Sequence, residues 1–195
     1  SSTVTHQAAY LFGKYSKEIA KGYLEHATKY ILFFSIALTL LWIFLVPFLP
    51  KFFQIDSTLP FILFTPIWVI GLLSANYSGY LKGILSFGVI GVMAVTEAFA
   101  KLAVAWFLVN TGYQNLVVIT IPLSVLISLA VGWIFIRKTR SEPIAIEESK
   151  FNKPFFTASS LNGISAIALF GADIILAKHF LSPYEAGQYS ILSLI

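Results

Sequence analysis

From Tyr30 to Pro50 the chain carries no charged side chain, and from Ser57 to Leu81 again none. The hydrocarbon core of a bilayer takes about 20 apolar residues of helix, and both runs meet that length. They are too long for strands and show no two-residue alternation. Helices this apolar fit inside a soluble domain only beneath a polar coat, which the chain lacks. Of its 195 residues 57% are hydrophobic and 11% are charged, with mean hydropathy +0.82, whereas a soluble domain carries about 25% charge. A cytoplasmic enzyme of ordinary composition, a disordered chain and a nucleic-acid binder are excluded. The fold class is an all-α membrane protein.

Punctuation along the sequence predicts five spans and the start of a sixth. The first lies near Tyr30 to Leu49. The second, near Leu59 to Tyr80, opens on Asp56, Ser57 and Thr58 with Pro60 in its first turn. The run after Lys82 is too long for one helix, and Asn110-Thr111-Gly112-Tyr113-Gln114-Asn115 divides it into spans near Ile84 to Val109 and Leu116 to Ile136. A fifth runs from Pro154 to Lys178. Ser182-Pro183-Tyr184-Glu185 carries the N-cap serine, first-turn proline and N3 glutamate of a capping box. Pro66 and Pro122 fall inside the second and fourth spans, where they predict static bends.

Basic residues set the expected orientation. Lys14, Lys17, Lys21, Lys29, Lys82, Arg137, Lys138, Arg140, Lys150 and Lys153 fall on one side, ten of the 13 in the chain. Lys51 and Lys178 fall on the other, and Lys101 lies within a span. Residues 1–28 and 137–153 are therefore expected in the cytoplasm, and the net charge of +4 is chiefly an orientation signal. Tyr10 to Lys29 reads as an amphipathic cytoplasmic elbow. The polar stretch 137–153 reads as a linker between a first unit, 1–136, and a second, 154–195. With Met93 as its one methionine and an apolar run at its end, the sequence reads as an internal piece of a longer membrane protein.

Two charges sit deep in the third span. Glu97 and Lys101 are four apart with the acid first, the order that favours an intrahelical pair. They read either as a self-neutralised pair facing the bundle interior or as the polar wall of a water-filled path. Asp173, near the far end of the fifth span, reads as a hydrogen-bonding group or a cation-coupling carboxylate. Asn76 and its hydroxyl-bearing neighbours read as helix-packing groups or substrate contacts. There is no cysteine, and His6, His26 and His179 are isolated, so no disulfide, thiol chemistry or metal site is expected. Without a phosphate loop or nucleophile elbow, neither an enzyme nor a cofactor is expected.

The stretch from Asp173 to Ser190, DIILAKHFLSPYEAGQYS, resembles the seventh transmembrane region of Wzx-type oligosaccharide flippases. These belong to the multidrug/oligosaccharidyl-lipid/polysaccharide (MOP) exporter superfamily. That family shows an Asp, a few apolar residues, a Lys, and a hairpin ending in Glu-Ala-Gly-x-Tyr. Glu97-Ala98-Phe99-Ala100-Lys101-Leu102 is similar to its fifth helix, and Tyr80-Leu81-Lys82-Gly83 to its fourth-to-fifth junction. The matches fall in the family's order over nearly the whole chain, so that the five spans correspond to its helices three to seven.

The resemblance implies a two-lobe fold of 12–14 helices, of which the first two helices and most of the second lobe lie outside this sequence. It also implies alternating access. The substrate would be a polyprenyl-diphosphate-linked oligosaccharide, moved across the cell inner membrane with its tail left among the membrane lipid. Lys101 is the one deep cation, so Lys101, Glu97 and Asn76 are the candidate substrate-binding residues. The alternative is a cation-coupled multidrug antiporter of the same superfamily, with Asp173 or Glu97 holding the coupling ion. A polysaccharide polymerase or ligase would need large extracytoplasmic loops, and those expected here are short.

Overall fold

The structure, a computed structural model, describes residues 2–139, 157–158, 161–162, 165, 171 and 175–192. Among the described residues every regular element is helical. In chain order these are α1 (Ser2–Lys14), α2 (Lys17–Leu45), α3 (Leu49–Phe53), α4 (Leu59–Phe64), α5 (Ile67–Gly83) and α6 (Phe87–Asn110). A 3-10 segment, Gln114–Ile119, leads into α7 (Thr120–Arg137), and α8 is Pro183–Leu192. Four stretches are long and apolar enough to cross a membrane: Lys17–Leu45, Leu59–Gly83, Phe87–Asn110 and Gln114–Arg137. They coincide with the first four expected spans. Most of the expected fifth span, Asp173 included, and the linker beyond Thr139 lie outside the described residues.

The expected elbow is not one element. Ser16 has extended backbone angles, and its Oγ accepts from Ile19 N at 3.3 Å, which starts a new helix at Lys17. From there α2 runs unbroken through Lys29: no proline stands in it, Gly22 is tolerated among the charged turns, and Thr28 Oγ1 turns back to the Leu24 carbonyl at 2.7 Å instead of capping a new helix. The span therefore projects past its apolar run at the basic end. It stops at Leu45, one turn before the expected Leu49, since Pro47 and Pro50 cannot continue the ladder.

Pro66 does more than bend the second span: it divides α4 from α5. The missing N–H at Pro66 would orphan the Ile62 carbonyl, which instead accepts from Thr65 N at 3.1 Å. The Phe61 carbonyl accepts from Thr65 Oγ1 and from Trp42 Nε1 of α2, both at 3.1 Å. The freed acceptors are thus satisfied inside the protein, as a hydrocarbon environment requires. Pro122 does not interrupt α7. It stands in that helix's first turn, where its N–H would have had no helical partner.

α2 packs against α5, α5 against α7, and α7 against α6; α1 lies across α2 and α5. α6 meets α5 less extensively than it meets α7. The main hydrophobic cluster gathers where the basic residues are: Val4, Ala8 and Leu11 of α1, Tyr23 and Leu24 of α2, Tyr80 and Leu81 of α5, and Ile136 of α7. Lys21 Nζ donates to the Thr139 carbonyl and pairs with Glu25 at 3.7 Å, which ties the start of α2 to the end of α7. Farther along the spans, Phe33, Phe44, Phe99, Leu102 and Trp106 are all more than half exposed. Such a surface suits lipid or further helices and not water.

Gly83 lets α1 reach this cluster. A Cβ there would stand 2.6 Å from Ala8 Cβ, 2.8 Å from the Thr5 carbonyl oxygen and 2.9 Å from Ala9 N. Backbone cannot yield as a side chain can, so Gly83→Ala is expected to push α1 away. The overpacking cost of about 1–3 kcal/mol exceeds the roughly 0.5–1 kcal/mol that alanine gains over glycine in a helix. The expected outcome is a lower melting temperature in detergent and faster proteolysis between Lys14 and Lys17. An unchanged cleavage rate would refute the close contact.

Candidate functional site

α6 is positioned by one face. Met93 is 3% exposed, and its carbonyl accepts from Ser128 Oγ of α7 at 3.2 Å. Gly132 of α7 leaves room for its thioether. Each four-residue step along a helix turns about 40°. Glu97 therefore lies at the border of the α7-facing stripe, and Lys101 farther round. The expected ion pair is formed, with Lys101 Nζ 3.7 Å from Glu97 Oε1. Its side chains are 46% and 31% exposed respectively, so the pair is not enclosed by the described helices. It lies on a flank of α6 that the described helices leave partly open.

Asn76 stands elsewhere. It is 1% exposed, and its Nδ2 donates to Thr28 Oγ1 of α2 at 2.9 Å; that hydroxyl donates to the Leu24 carbonyl at 2.7 Å. Asn76 Oδ1 is buried with no hydrogen-bond partner. Of the three candidate substrate residues, then, the structure joins Glu97 with Lys101 and places Asn76 between α2 and α5. The fourth candidate, Asp173, lies outside the described residues. A cleft of about 80 Å³, lined by Lys17, Tyr80, Ser86, Ile136 and Thr139 among others, lies at the basic end, not beside the ion pair.

The capping box at the start of α8 is formed as expected. Glu185 Oε2 accepts from Ser182 N at 3.1 Å and from Ser182 Oγ at 2.7 Å, and Glu185 N donates to Ser182 Oγ at 3.4 Å. Contacts that sequence reasoning missed cluster around His179. Its Nδ1 is 3.0 Å from the Phe52 carbonyl oxygen, its ring stacks on Phe52 at 4.6 Å, and its own carbonyl accepts from Gln54 Nε2 at 2.7 Å. Spacing gives no signal for a partner 127 residues away. Thr28 was more accessible to reasoning, since an asparagine on an apolar helix calls for a polar partner on its neighbour.

No protein-family model, no curated protein and no solved structure matches the chain.

The Asn76–Thr28 contact is open to a double-mutant cycle. Thr28→Val, Asn76→Leu and the double variant are expected to show a coupling of about 0.6 kcal/mol, the average for such bonds in membranes, in reversible unfolding from detergent. Additive effects would mean that the two side chains do not hold α2 to α5.

Proposed function

We propose that this chain is part of a flippase that moves a polyprenyl-diphosphate-linked oligosaccharide across the cell inner membrane by alternating access, within a two-lobe fold of the MOP type. The observation that carries this reading is the Glu97–Lys101 pair: a cation held deep in an apolar four-helix unit, close to half exposed on a flank the unit leaves open. A diphosphate entering beside α6 would find in Lys101 a charge already oriented by Glu97, while a prenyl tail stayed among the exposed apolar side chains. Residues 2–139 fit the first lobe and 175–192 the start of the second. The sequence resemblance around Asp173–Ser190 and Glu97–Leu102 adds to this reading.

Orientation belongs to the same proposal. Lys17, Lys21, Lys82, Arg137 and Lys138 fall at one end of the helices, and Lys51 falls at the other with Lys178, whose neighbour His179 touches Phe52. The positive-inside rule then puts the core-bearing end in the cytoplasm. The Glu97 carboxylate, 31% exposed, gives the antiporter reading its one specific support, as a group that could take up a coupling ion.

In the intact protein in its native membrane, Lys101→Ala is expected to reduce surface polysaccharide at normal protein level, and Lys101→Arg to retain part of it. Polysaccharide output that Lys101→Ala leaves unchanged would remove the lysine from the mechanism. Drug sensitivity of a deletion strain with normal surface glycan would favour the antiporter.

A further inference from the structure

His179 is the point where the segment 175–192 meets the four-helix unit. It lies in a short helical stretch, residues 175–180, and engages the loop between α2 and α4. That loop is built to present backbone. Pro50 stands in the first turn of the five-residue α3, and Gln54 ends it in the left-handed region at φ 54°. This reversal turns the chain so that the Phe52 carbonyl and the Gln54 side chain both reach His179. The result is reciprocal. His179 Nδ1–H donates to the Phe52 carbonyl oxygen, Gln54 Nε2 donates to the His179 carbonyl oxygen, and the imidazole lies over the Phe52 ring with 19° between planes. Phe53 and Phe180 pack edge-on against the two stacked rings, with centroids 5.0 and 4.8 Å away.

We infer that Phe52, Gln54 and His179 form a clasp that holds the two units together at the end opposite most of the basic residues, beside Lys51 and Lys178, and releases when that end opens. This rests on the alternating-access reading above. Two features fit a contact made to open. All three residues are at least partly open to solvent and the hydrogen bonds are exposed, so release leaves no buried polar group without a partner. The main hydrophobic cluster, by contrast, lies at the basic end and stays packed when the far end parts. Within the four-helix unit, Trp42, Phe61, Phe64 and Trp68 join α2 to α4 and α5 at the clasp's own end, so the unit moves as a body and the clasp is the part that yields.

The chain has no cysteine, so introduced thiols report cleanly. In the intact protein in its native membrane, the pair Phe52→Cys with His179→Cys is expected to cross-link with a short bismaleimide; failure to cross-link would overturn the contact. In a second arm, Lys101→Cys is labelled with a membrane-impermeant maleimide supplied from the clasp side, alone and combined with Phe52→Ala and His179→Ala. Losing a contact of this size is expected to speed labelling about five- to thirtyfold, with His179→Asn, which keeps a donor but not the ring, in between. Equal labelling in all three sinks the clasp. Neither arm reads polysaccharide, so loss of the flippase reading through Lys101→Ala would be seen separately.

Discussion

Backbone that crosses hydrocarbon has no water to bond, and the way this chain meets that demand explains much of its architecture. Helices answer it along their interiors, and hydroxyl groups answer it at the weak points. Thr28, Ser35, Thr39, Thr65 and Ser124 all donate back to a carbonyl of their own helix, three or four residues earlier. Such bonds satisfy the hydroxyl without reaching a neighbour. Among the described residues, polar contacts that cross between spans within their apolar stretches include Asn76 to Thr28, Ser128 to the Met93 carbonyl, and Trp42 to the carbonyl exposed near Pro66. Each sits at a different pair of helices, so register is set at one place for α2 with α5, at another for α2 with α4, and at a third for α6 with α7.

Packing between the helices is distributed unevenly. At the basic end α1 folds over α5 through Gly83, and α2 is tied to the end of α7 by Lys21. Farther on, the helices present large apolar side chains outward, and α6 keeps a free flank. The two spans joined by a short turn at Ile84–Ser86 meet each other less extensively than each meets α7. The Glu97–Lys101 pair lies on that free flank, with side chains 31% and 46% exposed.

Much of this was legible from charge and punctuation, and the misses share a cause. Uncharged runs located the four long apolar stretches because hydrocarbon length and charge cost are properties of sequence alone. The start of α2 was misplaced because charge stops at Lys29 while helix does not; Ser16 was the usable signal, an N-cap with Glu18 two residues on. Pro66 marks a perturbation in the sequence, but whether it bends or divides a helix depends on Thr65 and Trp42 supplying donors. Asn76 was ambiguous because only the position of α2 decides whether it packs or faces a path. Glu97 and Lys101 were paired correctly, since both lie on one helix four residues apart. Their exposure could not be read, because it depends on where α7 lies. His179 looked isolated for the same reason: its partners belong to another part of the chain.

Stability does not account for the pair. A single charge at a helix centre costs roughly 2.5–3.5 kcal/mol on the insertion scale. Where water reaches both groups, an intrahelical pair returns about 0.3–0.5 kcal/mol. Where water is absent the attraction grows, but so does the cost of desolvating both ions, and apolar residues of similar volume do as well or better. In neither setting do Glu97 and Lys101 improve on two apolar residues at the same positions of α6. The neighbouring turns show what folding alone asks for there, since Phe99, Leu102 and Trp106 are apolar and outward-facing. The helix does not need this charge for its own stability; under the proposed function, the charge, held in place by its partner one turn away, is there for the diphosphate that would come to it.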